Sequence, residues 1–119
     1  MKNLSTMAAT SALLCVIPVV LAQAAAPALN TSWWTTNKIS QGECMDKASA
    51  ALRAVGMTTK LEVVRESTRG EKGDYIGLVR CAERAKVAFF AVAGPDRQEC
   101  INLGKSLEDE FKKAKPTRR

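Results

Sequence analysis

The sequence contains no histidine. That removes the Ser-His-Asp and Cys-His arrangements, which use imidazole as the proton acceptor. Carboxylates are present, but Glu62/Glu66 and Glu108/Asp109/Glu110 sit where solvated faces are expected. A glycoside-cleaving pair would also need a cleft that so short a chain does not promise. The expectation is a protein that is not an enzyme. Paired cysteine spacing is missing too. Cys44, Cys81 and Cys100 are separated by 37 and 19 residues, unlike zinc sites. Cys44, Met45 and Met57 offer soft atoms for Cu(I), but methionines beside an apolar stripe read as core. Neither a metal nor another cofactor is expected. No glycine-rich phosphate loop opens a helix. Gly70-Glu71-Lys72-Gly73 lies between strand patterns and reads as a hairpin loop.

Long apolar runs are absent after the first residues. Met7 to Leu21 is apolar apart from Thr10 and Ser11, and Lys2 precedes it. The run is shorter than the roughly 20 residues a membrane span needs. Pro18 breaks it, and Ala22-Gln23-Ala24 offers small residues for cleavage, so residues 1–24 read as a signal peptide. Cys15 follows Leu14, where lipoprotein processing wants a small residue. Cleavage after Ala24 leaves 95 of the 119 residues. The expected location is periplasmic or secreted, where disulfides persist.

The charge of +6 lacks a home in the folded part. From Ala25 to Phe111 there are 12 basic and 12 acidic residues; from Lys112 to Arg119 there are five basic residues and none acidic. The basic tail of Lys112, Lys113, Lys115, Arg118 and Arg119 therefore carries the excess. Nucleic-acid-binding domains carry theirs on the folded surface, which argues against that partner. The tail reads as a solvated end, with anionic-surface attachment as the functional alternative.

Residues 25–38 read as a flexible arm. They hold Trp33 and Trp34, the only tryptophans, as candidate partner contacts or as side chains folded back onto the domain. Asn30-Thr31-Ser32 matches a glycosylation sequon. The α+β domain is expected over 39–115, with the tail at 116–119. Ser40-Gln41-Gly42-Glu43 is a capping box. Cys44, Ala48, Ala51, Leu52 and Val55 follow at helical spacing, and Gly56 is the stop. Strands are expected at Lys60–Glu66, Tyr75–Cys81 and Lys86–Ala93, separated by a charged loop at Ser67–Asp74 and a turn at Ala82–Ala85. Arg69 and Lys72 in that loop are candidate contacts. Pro95 suits the first position of a second helix whose stripe is Cys100, Leu103, Leu107 and Phe111, with Gly104 beside it. Pro116 ends it.

The order α-β-β-β-α implies a three-stranded antiparallel meander with both helices on one face. In that arrangement the helices run the same way. Cys44 and Cys100 then lie level, each about 7 Å from the same end of the sheet. A Cys44–Cys100 disulfide is expected, with Cys81 as the free thiol. A tilted helix would favour Cys44–Cys81 instead. Arg80, Arg84 and Lys86 flank Cys81 in sequence and would favour its thiolate. The expected function is a small exported, non-catalytic binding or interaction domain of the bacterial envelope or exterior, its partner an unknown protein or envelope component. The alternatives are a thiol-responsive protein and tail-mediated attachment. The oligomeric state is not fixed by the sequence.

Overall fold

The computed structural model describes residues 26–115. The signal peptide read over 1–24, and Arg118 and Arg119 of the tail, lie outside the described residues. The elements are β1 (Ala28–Thr35), α1 (Gln41–Ala54), β2 (Thr59–Val64), β3 (Ser67–Lys72), β4 (Tyr75–Ala82), β5 (Val87–Gly94) and α2 (Arg97–Lys113). The class is α+β. The sheet has five strands in the order β1-β5-β4-β3-β2, and every pairing is antiparallel.

Two strands replace segments expected to be irregular. Residues 28–35 are an edge strand on β5, not a flexible arm. Their side chains alternate between half-buried and exposed, the period of a strand with one covered face. Ser67–Lys72 is β3, not a loop. It carries little apolar surface because the chain approaches it too closely for side chains. A Cβ on Gly70 would strike the Met57 carbonyl oxygen and sit 3.2 Å from Leu61 Cδ1. The hairpin loops on either side of β3 are Arg65-Glu66 and Gly73-Asp74, with Arg65 and Gly73 at φ 57° and 58°.

The caps follow the sequence. Ser40 Oγ accepts from the Glu43 N–H at 3.1 Å. Gly56, at φ 85°, closes α1 in a Schellman turn: its N–H donates to Arg53 O and that of Met57 to Leu52 O. Asp96 caps α2 by accepting from the Glu99 N–H at 2.8 Å. The helix starts at Arg97, so Pro95 precedes the cap and is not the first helical residue.

The second extra strand, β3, changes the direction of everything after it. Four strands, not three, separate the helices, so α1 and α2 run antiparallel. The start of α1 meets the end of α2, where Lys47 Nζ donates to Ala114 O at 2.6 Å. Both helices cover one face, and the core there is Leu52, Met57, Val79, Phe90, Val92, Leu107 and Phe111 with smaller residues between. Gly104 lets α2 press on β1, because a Cβ would collide with the Asn30 side chain. Asn30 is thereby turned towards the helix, and its sequon is not presented on the open surface. Trp34 also points inward and meets Phe111 edge-on at 6.0 Å.

The antiparallel helices overturn the expected disulfide. The bond joins Cys44 to Cys81, with Cα atoms 6.1 Å apart. It ties the first turn of α1 to the end of β4, where Gln41 Nε2 also donates to Cys81 O at 2.8 Å. Cys100 begins the other helix at the opposite end of the sheet. Among the described residues it is the free cysteine, and it is buried. Closing a loop of 37 residues contributes about 4 kcal/mol in the chain-entropy model. A disulfide is what an oxidising, exported location sustains. No helix among the described residues is long and apolar enough to cross a membrane.

Candidate functional site: the open face of the sheet

The face away from the helices is built by the residues alternating with the core. The registers align them in rows across the sheet. One row runs Trp33, Phe89, Arg80, Ser67, Val64; the next runs Thr31, Ala91, Leu78, Arg69, Glu62; a third runs Leu29, Ala93, Ile76, Glu71. Each row changes character along its length. The β1, β5 and first part of β4 present Leu29, Trp33, Ile76, Leu78 and Phe89. The β3 side presents arginines and glutamates.

The apolar part is exposed. Trp33 is 64% accessible, Leu29 67% and Ile76 45%. Among the described residues, five of the seven exposed large apolar side chains (Leu29, Trp33, Val64, Ile76, Phe89) lie on this face. Single exposed apolar residues are ordinary; these occupy neighbouring positions of one face. On the charged part, Glu62, Val64, Glu66, Arg69, Leu78 and Arg80 line a shallow hollow of about 530 Å³. Arg65 lines it as well, and the other two arginines are matched to acids. Arg69 meets Glu71 at 3.0 Å and Glu62 at 3.8 Å, and Arg80 meets Glu66 at 3.4 Å. These pairs are partly exposed, so they add little stability, but they offset the charges of Arg69 and Arg80.

The residues singled out in the sequence separate. Trp33 and Arg69 both stand on the open face, in its apolar and charged parts. Trp34 is on the helix face. Lys72 also points to the helix side, with Nζ 3.4 Å from Val55 O at the end of α1, where a cation complements the helix dipole. Lys112 and Lys113 belong to the last turn of α2. They pair with Glu108 at 3.3 Å and Glu110 at 2.9 Å, and Lys112 lies over the Trp34 ring at 5.9 Å. Lys115 is exposed just beyond the helix.

The thiols correct a second expectation. Cys81 is oxidised, so it is not a free thiol. The free one, Cys100, is fully buried. Burial pushes its pKa up, and Asp96 and Glu99 push it the same way. A buried, protonated thiol is a poor nucleophile. Sequence reasoning also missed Lys47, which is buried. Its ammonium satisfies the last carbonyls of α2 and lies 5.4 Å from the Phe111 ring centre. Burial lowers its pKa, and Glu43 partly offsets the shift. Its place on the Cys44–Ala48 side of the helical stripe was the available signal, since lysine stems can lie along apolar surface.

Among the described residues no group of three or more His, Cys, Asp or Glu side chains is arranged to hold a metal ion. The chain matches no protein-family model, no curated protein and no solved structure.

Proposed function

We propose that this is a small exported, non-catalytic binding domain whose working surface is the open face of its sheet. The observation that carries the reading is the gathering of Leu29, Trp33, Ile76 and Phe89 on one uncovered face. Water contact with that much apolar surface is a cost to a monomer and a source of affinity on contact. The paired arginines and glutamates beside it supply a polar rim, the usual border of an apolar contact. The partner is a protein or other envelope component with an apolar surface and a polar border. Export is part of the proposal, supported by the apolar leader pattern and by the Cys44–Cys81 bond. A thiol-based role loses its motive, because the flanking cations surround an oxidised cysteine and the reduced one is enclosed.

Site-specific photo-crosslinking in intact cells tests this. A photoreactive residue at Ile76 or Phe89 is expected to trap a discrete envelope component. The same residue at the exposed Arg53 of α1 is expected to trap none. Equal trapping at Arg53, or no trapping at either open-face position, overturns the proposal.

A further inference from the structure

The two edges of the sheet differ in how they treat an incoming strand. At the β2 edge the register shifts between Thr59 and Glu62, Lys60 is left-handed at φ 53°, and Lys60 and Glu62 are charged. Bulges and charges of this kind block edge-to-edge pairing. The β1 edge has none of them. Ala28–Thr35 is regular through all eight residues and carries no charge and no proline.

The phase of β1 shows what that edge offers. The Thr36 N–H donates to Lys86 O at 2.8 Å, and these residues continue the β1–β5 register. In an antiparallel ladder the bonded pairs alternate. The even-numbered residues of β1 therefore exchange bonds with β5. Leu29, Thr31, Trp33 and Thr35 turn their N–H and C=O groups outward.

The position of α2 says what fits there. It packs on β1 and β5 alike, so its axis runs over their junction. A second copy adding its own β1 antiparallel would bring its α2 to a distance of two strand spacings, about 10 Å. That is the distance at which helices pack. The side of α2 facing that gap is the line Ile101, Gly104, Glu108, Lys112, because Gly104 and Lys112 on this line touch Asn30 and Trp34 of β1. Ile101 is 38% accessible and is the exposed large apolar side chain found on either helix among the described residues. A lone peptide strand would pair the edge and leave Ile101 in water. A second copy covers both.

We infer that the chain forms a two-fold dimer through antiparallel pairing of β1 with β1 of a second copy, with the two α2 helices packed across the axis. Keeping the open faces on one side requires odd residues opposite odd residues. The register that pairs all four outward residues is centred on Ser32, with Leu29 opposite Thr35 and Thr31 opposite Trp33. The sheet becomes ten-stranded, and the apolar parts of the two open faces join into one surface.

The test is sedimentation equilibrium on the chain beginning at Ala25, which contains β1 to β5 and both helices. A dimer is expected. Thr31→Pro removes an outward N–H and no bond to β5, and is expected to weaken association at least about tenfold. Thr31→Lys provides the same readout if the proline variant does not fold, and Ile101→Asp reports the helix contact. Ile76→Lys, two strands from the edge, is expected to leave the dimer intact while it abolishes open-face trapping, so the two proposals fail separately. A parent chain that stays monomeric at about 0.1 mM, a concentration that would populate even a weak dimer, overturns the inference. So does a dimer unaffected by all three edge and helix variants.

Discussion

Phe89 and Phe90 are neighbours in β5 and live in different surroundings. Phe90 is 1% accessible and meets Phe111 edge-on at 5.2 Å; Phe89 is 38% accessible on the other face. Trp33 and Trp34 repeat the contrast in β1. Strands with one wet face alternate apolar and polar residues, whereas β5 and the first part of β4 are apolar on both sides, as strands covered on both faces are. The lesson is that the helix face is built for its own packing, whereas the apolar side chains of the open face are left partly in water.

The largest expected effects test that contrast directly. Phe90→Ala should cost about 4 kcal/mol, the range for deleting a buried phenylalanine. Phe89→Ala should cost less, about 1–2 kcal/mol, because more than a third of the residue is already in water. Urea unfolding of the two variants measures both. Similar losses would mean that the open face is covered in solution, and a dependence on protein concentration would then show whether a second copy covers it.

The next effect concerns the two helices, of which only α1 is tied covalently to the sheet. Replacing Cys44 and Cys81 together by alanine should remove up to about 4 kcal/mol, the chain-entropy value for this loop. Cys100→Ala should cost about 1 kcal/mol, since it deletes one small buried group. Under non-reducing conditions, trypsin should release peptide 39–47 joined to peptide 81–84, with Cys100 alkylated only after unfolding. A link from 39–47 to the peptide holding Cys100 would remove the basis for the antiparallel helices as well as for the bond.

How far this arrangement could be read from the chain depends on what each segment uses to fold. The Ser40 cap, the Gly56 stop and the α1 and α2 stripes are local chemistry, and they appear where the residues place them. The strands β4 and β5 announce themselves by apolar content. The β3 strand does not, because its helix-facing positions are Thr68 and Gly70, held small by the approach of Met57 and Leu61. Reading it as a loop left an odd number of strands between the helices. That single miscount set the helices parallel, brought Cys100 beside Cys44 and assigned the free thiol to Cys81. The β1 strand escaped for a different reason: Thr, Ser and Asn dilute it, and it becomes a strand only through pairing with β5, more than fifty residues later. The open face was legible residue by residue, in Trp33, Ile76 and Phe89. Its continuity was not, because it depends on the strand order.

The smallest effect separates the ends of the core by pH. The Cys100 thiol has its pKa raised from the usual 9.0, mainly by burial and further by Asp96 and Glu99. Above pH 9 the unfolded chain therefore loses this proton before the folded chain does. The contribution is fully present below pH 9 and is lost as pH rises towards the raised value. Lys47, at the other end of α2, has the opposite sign. Burial lowers its pKa from 10.5, so between the lowered value and 10.5 the unfolded chain holds a proton that the folded chain has released, and stability rises with pH. Burial also raises Tyr75 from 10.0, which adds to the Cys100 direction. Unfolding free energies between pH 8 and 10 should therefore fall less steeply in Cys100→Ala than in the parent, and more steeply in Lys47→Met, which deletes the opposing group. Parallel pH profiles for parent and Cys100→Ala would mean that water reaches the thiol at the start of α2.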